Sequence, residues 1–265
     1  MAKVFVVDLE KCNGCYCCQI ACKDETVDNE WMPYSKPQPD TGQFWCKVKQ
    51  QDHGQVPKVR VEHRPVWGAQ SEAIREYAPE VLMPREDGLI VIDPEKAAGR
   101  KDLADKFDGV YWNEELQFPQ GCTGCAHLVD QGKLPHCVDA CATNALFFGE
   151  EEELADKIAQ AVSDFDDEGM KGHVYYVNPF RLFLSGEVWD EEADEVIIGA
   201  KVTLTDGDGK VLSAETDCYG DFWFKHIMPG SYTLDITADG YDGVSGKAVE
   251  LTKSLNIGDF PLHRA

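Results

Sequence analysis

Apolar and polar residues alternate in short runs through the last third of the chain. Runs of this kind cover 202–204, 222–224 and 232–236, and Gly/Asp turns such as 206–209 separate them. Short alternating strands with turn residues between them are typical of an antiparallel β-sandwich. We therefore predict that residues 181–265 form a separate β-sandwich that contributes contacts and no chemistry.

The N-terminal part of the chain has a different pattern. Two short β-branched runs, 4–7 and 89–92, predict strands. The apolar spacing within 150–168 predicts an amphipathic helix whose acidic residues face solvent. Between the two predicted strands, the stretch 22–87 is rich in Pro, Trp and polar residues and shows little periodicity. We assign residues 1–180 to one α+β domain that contains this stretch as an insertion.

Composition narrows the class of protein. The chain has 265 residues with 43% hydrophobic content, which suffices for real cores. No apolar run reaches the roughly 20 residues that a membrane-spanning helix needs. The formal net charge of −23 argues against nucleic acid and anionic membrane surfaces as partners. No signal peptide is recognisable at the N-terminus, so we expect a cytoplasmic protein.

Eight of the eleven cysteines fall into two sets, spaced C-x2-C-x2-C-x3-C and C-x2-C-x11-C-x3-C. A C-x2-C-x2-C tract wraps around one [4Fe-4S] cluster, and the fourth cysteine of the run ligates the other cluster of a two-cluster ferredoxin. We therefore predict two [4Fe-4S] clusters with crossed ligation. Cluster 1 would be held by Cys12, Cys15, Cys18 and Cys141, and cluster 2 by Cys22, Cys122, Cys125 and Cys137.

Other uses of the cysteines fit the pattern less well. Paired C-x2-C motifs also serve structural zinc sites, but such sites usually need two pairs each. Disulfides are disfavoured in a reducing cytosol. Cys17 could in principle replace Cys18, but only Cys18 gives the regular spacing. Cys46 and Cys218 stand alone, and we interpret both as ordinary small buried residues.

The first cysteine tract has a counterpart without cysteines. Each predicted strand is followed by the same acid-x-Glu-Lys turn and a glycine, which indicates an internal duplication. The second copy would keep the strand–loop–helix fold and bind no cluster. The matching turn residues are Asp8 and Asp93, Glu10 and Glu95, Lys11 and Lys96, and Gly14 and Gly99; the four ligand positions map onto Ala97, Arg100, Leu103 and Phe107.

These motifs resemble two known modules. The cysteine tracts and the D-x-E-K turns resemble the iron–sulfur subunits of molybdopterin oxidoreductases such as dimethyl-sulfoxide reductase. The C-terminal part, through positions such as Gly220, Phe222 and Phe224, resembles the transthyretin-like (carboxypeptidase-regulatory-type) sandwich. Their combination resembles the small subunits of the pyrogallol–phloroglucinol transhydroxylase and resorcinol hydroxylase type. The resemblance implies a duplicated ferredoxin-like domain and a large molybdopterin-binding catalytic partner.

One departure from that family concerns the number of clusters. The resemblance implies a third cluster, whose C-x2-C motif is expected immediately after 64–66. Trp67, Gly68 and Ala69 stand there instead, and Phe107 occupies a further ligand position. We therefore expect two clusters in this chain.

The predicted function rests on the cysteine motifs and on the lack of recognisable catalytic motifs in the sequence. The sequence has no Ser/His/Asp trio by motif and no phosphate-cradling glycine loop, so we expect no catalytic residues. We predict an electron-transfer subunit with two [4Fe-4S] clusters, serving a cytoplasmic molybdopterin enzyme that hydroxylates or transhydroxylates a polyhydroxylated aromatic in anaerobic metabolism. The alternatives are a free-standing dicluster ferredoxin whose sandwich docks a partner, and a binding module with structural zinc.

Two surfaces are candidates for docking the large subunit. One is the aromatic-rich insertion between residues 31 and 67, and the other is the pair of cluster loops. Aromatic side chains serve either a subunit interface or packing over a small core. We favour cluster 1 as the one facing the partner, because its loop adjoins the insertion. The aromatic residues concerned are Trp31, Tyr34, Phe44, Trp45 and Trp67.

Overall fold

The computed structural model describes residues 2–26, 43–162, 165 and 170–265. Contacts between residues divide the protein into two compact units. Residues 51–61, which the sequence assigns to the first domain, group with the second unit. Unit 1 comprises Met1–Gln50 and Glu62–Pro179, and unit 2 comprises Gln51–Val61 and Phe180–Ala265.

The first unit consists of short strands and short helices connected by turns. Its elements, together with the hairpin whose tip belongs to unit 2, are β1 (Lys3–Asp8), α1 (Cys17–Glu25), β2 (Lys47–Gln55), β3 (Lys58–Val66), α2 (Glu72–Tyr77), a 3-10 turn (Pro79–Val81), α3 (Lys101–Lys106), β4 (Val110–Asn113), β5 (Phe118–Gly121), α4 (Ala126–Val129), α5 (His136–Asp139), β6 (Leu146–Glu150), α6 (Ala155–Ile158) and β7 (Val174–Val177).

A sheet in the order β6–β1–β7 forms the centre of unit 1. β1 is antiparallel to β6 and parallel to β7. Residues 4–7 are buried on both faces of this sheet, which suits their β-branched and aromatic side chains. Phe5 stacks on Trp67 with ring centroids 4.7 Å apart. Trp45 and Trp67 are 3% and 0% exposed, so these two aromatic residues of the insertion pack in the core.

The second predicted strand, 89–92, is buried but does not form a regular strand. Its strand-type pairing among the described residues is a single bridge between Leu82 and Ile92. The Gln70 side chain takes the place of a neighbouring strand: its Nε2 donates to Ile90 O at 2.8 Å, and its Oε1 accepts from Ile90 N at 3.1 Å. A buried amide side chain therefore satisfies backbone groups that a sheet would otherwise pair.

The predicted amphipathic helix over 150–168 is wrong in its length. Within the described part of this segment the helix is α6 alone, which ends at Ile158. Val162 N–H donates to Tyr176 O at 2.9 Å in a β-bridge, and Phe165 packs edge-on against the Tyr176 ring at 5.1 Å. The apolar residues after Ile158 thus contact β7 individually instead of forming one helical face.

Unit 2 is a two-layer β-sandwich. One sheet has the order β11–β10–β13–β14, and the other has β12–β8–β15 with β9 added to β8. β15 runs parallel to β8, so the prediction of a purely antiparallel sandwich is wrong at that pair. Its strands are β8 (Leu182–Asp190), β9 (Glu195–Val196), β10 (Lys201–Asp206), β11 (Val211–Glu215), β12 (Asp221–Ile227), β13 (Gly230–Thr237), β14 (Val244–Leu251) and β15 (Leu255–Leu262).

The predicted alternation places the core of the sandwich. Val202 and Leu204 of β10 and Phe222 and Phe224 of β12 point inward and are buried, as expected for two sheets packed face to face. No helix in the described ranges of the whole chain is long and apolar enough to cross a membrane.

The tip of the β2–β3 hairpin packs within unit 2. The His53 ring stacks on Phe180 with centroids 3.8 Å apart, and the Arg60 guanidinium lies 5.2 Å from the centre of the same ring. Lys58 forms an ion pair with Asp221 of β12. These contacts explain why residues 51–61 group with the sandwich.

Candidate iron–sulfur centres

The first cysteine tract forms a tight loop between β1 and α1. Cys12 N–H donates to Asp8 O at 3.2 Å, which starts the turn. Gly14 and Tyr16 then take left-handed conformations, with φ of 72° and 60°. Glycine adopts such angles freely, whereas tyrosine does so at a cost. The loop therefore curves sharply before α1 begins at Cys17.

This loop and the segment after α5 together form the first group of cysteines, which we call site A. All of its members line one hollow in unit 1, with Pro65 and Val48 as apolar neighbours. Cys17 is absent from this lining, so Cys18 is the member that α1 supplies. Site A consists of Cys12, Cys15, Cys18 and Cys141.

The second group, site B, is more deeply buried. Cys22 follows Cys18 by one turn of α1, and its thiol interacts electrostatically with the three other members. Cys125 adopts φ 50° and precedes α4, so this tract also turns through a left-handed residue. Site B consists of Cys22, Cys122, Cys125 and Cys137.

Two packed helices connect the sites. α1 supplies Cys18 to site A and Cys22 to site B. α5, which packs against α1, carries Cys137 of site B and is followed directly by Cys141 of site A. The structure thus brings together the same two sets that the spacing predicts, including the exchange of the fourth cysteine. Ligation of clusters by these residues stays a prediction.

Burial and mutual repulsion act on the thiols of both sites. Burial, and then the neighbouring cysteines, raise the pKa of Cys12 in site A. Burial raises the pKa of Cys22 and Cys122 well above the usual thiol value, and burial with Cys137 raises the pKa of Cys125 to about 12. Metal ligation requires thiolates, so iron must supply the compensating positive charge and cluster assembly must release protons.

Backbone N–H groups point at the sulfurs in both sites. Ala145 N–H donates to Cys141 Sγ at 3.3 Å in site A, and Gly124 N–H donates to Cys122 Sγ at 3.3 Å in site B. Hydrogen bonds to ligand sulfurs stabilise negative charge and tune the reduction potential of a cluster. The loops therefore already present the donors that cluster-binding thiolates need.

Zinc and a [4Fe-4S] cluster place different demands on four cysteines. A tetrahedral zinc site needs all four sulfurs about 2.3 Å from one ion. A [4Fe-4S] cluster distributes its four cysteine ligands over four irons, so the sulfurs need not converge on a single ion. In the part of the chain that the structure describes, no three His, Cys, Asp or Glu side chains come close enough together to hold a single metal ion.

The sequence interpretation was wrong about one of the two isolated cysteines. Cys218, which it expected to be buried, is exposed on unit 2. Cys46 is completely buried in the core of unit 1, as expected. Burial raises the pKa of the Cys46 thiol well above its usual value.

A feature that the sequence interpretation missed lies beside site B. Glu25, the last residue of α1, contacts two histidines that neighbour site-B cysteines in sequence. Its Oε1 lies 2.8 Å from His127 Nε2, and its Oε2 lies 2.8 Å from His136 Nδ1. The first contact is an aligned hydrogen bond, and the second is a close contact without hydrogen-bond alignment. Glu25 therefore ties the end of α1 to the two short helices α4 and α5.

Unit 2 has a cavity without comparable chemistry. It measures about 610 Å³ and is lined by Asp190, Tyr241 and Arg264 among others. Asp190 accepts hydrogen bonds from both partners at 2.9 Å. The Ala193 N–H, together with these two side chains, lowers the pKa of Asp190 to about 2. The Asp190 carboxylate is thus engaged in hydrogen bonds within the sandwich.

Comparison with known proteins agrees with this arrangement. Residues 71–151 match the family model of the 4Fe-4S dicluster domain, and residues 184–262 match the carboxypeptidase regulatory-like domain. The pyrogallol hydroxytransferase small subunit of Pelobacter acidigallici is 33% identical over 96% of both chains. This protein belongs to the family of iron–sulfur small subunits of molybdopterin oxidoreductases. The resemblance of the cysteine motifs to this subunit family is therefore confirmed.

Other members of this iron–sulfur subunit family match part of the chain. One chain of the anaerobic dimethyl sulfoxide reductase of Escherichia coli is 29% identical over 58% of this chain and 76% of its own length. One subunit of the tetrathionate reductase of Salmonella typhimurium is 25% identical over 68% and 74%. A solved pilin, SpaA of Lactobacillus rhamnosus GG, matches 35% of this chain and 51% of its own with TM-score 0.30 and 17% identity, which is too weak to carry an argument.

Proposed function

We propose that this iron–sulfur subunit transfers electrons through two [4Fe-4S] clusters and serves a large molybdopterin-binding subunit that hydroxylates or transhydroxylates a polyhydroxylated aromatic. The observation that carries the proposal is the pair of four-cysteine groups, sites A and B, that share two packed helices in one buried core. The name of the Pelobacter relative, a pyrogallol hydroxytransferase small subunit, supports the aromatic substrate. The setting that we propose is anaerobic aromatic metabolism in the cytoplasm.

The packing of unit 1 supports a count of two clusters. Trp67 and Ala69, at the position expected for a further C-x2-C motif, are fully buried among apolar side chains. A Cβ at Gly68 would lie 2.0 Å from Asp108 O, so this segment also packs closely against neighbouring backbone. Side chains and backbone occupy the space that a third cluster would need.

When bound, the clusters would each store one electron. The chain would hold the site B cluster away from water, because Cys22, Cys122 and Cys137 are buried. N–H donors to the sulfurs stabilise the additional negative charge of a reduced centre. Cys18 of site A and Cys22 of site B lie one turn apart on α1, so the two sites are neighbours, which suits transfer of an electron from one to the other.

The finer description of the fold is part of the proposal. We infer that unit 1 is a duplicated ferredoxin-like domain, supported by the equivalent turns that follow Asp8 and Asp93. We infer that unit 2 is a transthyretin-like sandwich, supported by its two sheets and by the match to the carboxypeptidase regulatory-like domain. Its role would be to provide contacts.

Site A is the better candidate for facing the catalytic partner. Cys15 of site A is exposed, whereas site B has no exposed member. Ile20, which lies between Cys18 and Cys22 on α1, is 58% exposed and offers apolar surface next to the site. Trp31 and Tyr34 of the predicted docking insertion lie outside the described residues. Trp45 and Trp67 are buried and Phe44 is half-buried, so the site A loop is the better supported surface among the described residues.

Purification of the tagged chain from its own cells under anaerobic conditions tests the proposal. We expect a complex with a large subunit that contains molybdenum, and about eight irons on this chain. The isolated chain should be reducible and should not convert pyrogallol or resorcinol. Recovery of a reducible chain without any molybdenum partner would favour the free-standing ferredoxin instead, and zinc in place of iron and sulfide would contradict both.

A further inference from the structure

Glu25 lies beside site B and contacts two of the segments that carry its cysteines. Its Oε1 lies 2.8 Å from His127 Nε2, and its Oε2 lies 2.8 Å from His136 Nδ1. Each of these histidines stands within two residues of a site B cysteine, and Glu25 itself follows Cys22 by three residues on α1. One carboxylate thus stands among three of the four segments that supply site B.

The Glu25 carboxylate is largely withdrawn from water. The side chains of Glu25 and His127 are only 17% and 13% exposed. Water and salt screen a charge in such a position less than a charge on the surface, so its field acts more strongly on neighbouring groups. Asp24, the preceding residue on α1, is exposed, and its charge is screened accordingly.

Site A has different charged neighbours. Within the described part of the chain, no acidic or basic side chain lines its hollow. Asp8, which starts the site A loop, has its carboxylate 3.7 Å from the Lys11 ammonium, so the two charges offset each other. The two sites therefore differ by a partly buried carboxylate that only site B has beside it.

We propose that the Glu25 carboxylate directs electrons from site B to site A, because it lowers the reduction potential of the cluster bound at site B. The inference rests on the proposed function, since both sites must hold clusters. One electron leaves site B and one electron enters site A, so the count of electrons balances within the chain. No proton moves, and no covalent bond forms or breaks.

The physical reason is charge repulsion that decreases with distance. Reduction adds one negative charge, which a nearby carboxylate repels. Along α1, Glu25 is about 5 Å from Cys22 of site B and about 10 Å from Cys18 of site A, at 1.5 Å per residue. The repulsion therefore acts mainly on site B. The electron then resides at site A, the site whose exposed member Cys15 we assign to the partner.

The test compares the unmodified full chain with Glu25→Gln and Asp24→Asn, all reconstituted anaerobically, by iron content and by redox titration followed with EPR at one fixed pH. We expect about eight irons in each. Glu25→Gln keeps the size of the side chain and one oxygen acceptor for His127. It should raise the ratio of reduced to oxidised cluster at site B about tenfold at fixed potential, which is about 59 mV for a one-electron couple. Asp24→Asn removes the same charge from an exposed position and should leave both potentials nearly unchanged.

Several outcomes would overturn this role. An unchanged site B potential in Glu25→Gln would show that the carboxylate has no effect on that site. Equal shifts in Glu25→Gln and Asp24→Asn, or equal shifts at both sites, would reduce the effect to net charge. With about eight irons in the unmodified chain, these results contradict this inference alone. Fewer irons in the unmodified chain would overturn the proposed function, and the inference with it.

A second measurement decides the matter if Glu25→Gln does not fold or loses iron. The unmodified chain is reduced in steps, and its EPR spectrum after the first electron is compared with the spectra of reduced Cys122→Ser and Cys12→Ser, which would retain site A and site B respectively. The first electron should give the spectrum of Cys122→Ser. A first spectrum that matches Cys12→Ser would place the electron at site B and overturn the proposal.

Discussion

The turns after Asp8 and Asp93 have the same pattern of hydrogen bonds, but different residues follow them. In each, the aspartate side chain accepts two backbone N–H groups and pairs with the lysine three residues later. The N–H···O distances are 3.2 and 3.4 Å for Asp8 with Glu10 and Lys11, and 3.0 and 3.2 Å for Asp93 with Glu95 and Lys96; the ion pairs measure 3.7 Å for Lys11 and 3.3 Å for Lys96.

The two segments differ in the residues after the turn. The first presents cysteines, whereas the second places Ala97 and Leu103 in the core with no exposed surface. Arg100, at the position that corresponds to Cys15, forms ion pairs with Asp102 and Glu80. The Asp-x-Glu-Lys turn therefore adopts the same geometry whether or not cysteine ligands follow it. Hydrophobic burial stabilises the second segment, and metal binding is the term that we expect to stabilise the first.

The largest expected effect comes from matched substitutions at the last ligand position of each segment. Cys22→Ser should remove the site B cluster and lower the iron content from about eight to about four. Phe107→Ser, at the corresponding position of the second segment, should keep all irons and lower only stability. Iron and sulfide analysis of the two variants measures this difference.

Spectra of the same variants test the crossed ligation. The EPR spectrum of reduced Cys22→Ser should match that of Cys122→Ser, because both would retain site A alone. It should differ from that of Cys12→Ser, which would retain site B. If Cys22→Ser resembled Cys12→Ser instead, the fourth cysteine would belong to the site beside it in sequence.

Much of this architecture is local and could be predicted from the sequence. The spacing of the cysteines anticipates their grouping, since the tracts form short loops and helix ends. Features that depend on distant neighbours could not be predicted. Gln70 satisfies the backbone of Ile90 in place of a strand, residues 51–61 group with the sandwich, and Glu25 meets His127 and His136 beside site B. None of these leaves a periodic signal in the sequence.

The next largest effect is expected on the free energy of unfolding, when a buried apolar side chain of the second segment is shortened. Leu103 is fully buried at the position that corresponds to Cys18. Leu103→Ala should lower the free energy of unfolding by about 2–5 kcal/mol while leaving the iron content unchanged. Arg100→Ala, which removes partly exposed ion pairs, should cost less than about 1 kcal/mol. Urea unfolding under anaerobic conditions compares them, and an equal cost for both would contradict the role assigned to Leu103.

The two turns also contain equivalent glycines in the same left-handed conformation, so alanine substitutions at these positions can be compared directly. Gly14 and Gly99 have φ of 72° and 76°, so an alanine at either position costs about 1–2 kcal/mol in backbone strain. A Cβ at Gly14 would also lie 2.3 Å from the His63 ring, whereas at Gly99 it meets no atom within 4 Å. Gly14→Ala should therefore destabilise the protein more than Gly99→Ala. Equal unfolding free energies for the two variants would show that the His63 ring moves aside freely.

The smallest effect concerns the charge of Asp93. Burial works against the charged form, but the N–H groups of Lys96 and Glu95 and the Lys96 ammonium outweigh it and lower the pKa of Asp93. A lowered pKa in the folded state gives stability that is complete above the unfolded value of about 3.9 and is lost as pH falls through the folded value. Asp93→Asn keeps the oxygen acceptor and loses only the charge.

The destabilisation caused by Asp93→Asn should therefore be small, constant between pH 7 and pH 5, and smaller below about pH 4. Asp105→Asn, at an exposed position of α3, is the control for loss of one negative charge. Unfolding in urea at several pH values measures both variants. A difference that already shrinks between pH 7 and pH 5 would mean that the carboxyl takes up its proton more readily than its hydrogen bonds allow, and that the second turn does not stabilise its aspartate as the structure indicates.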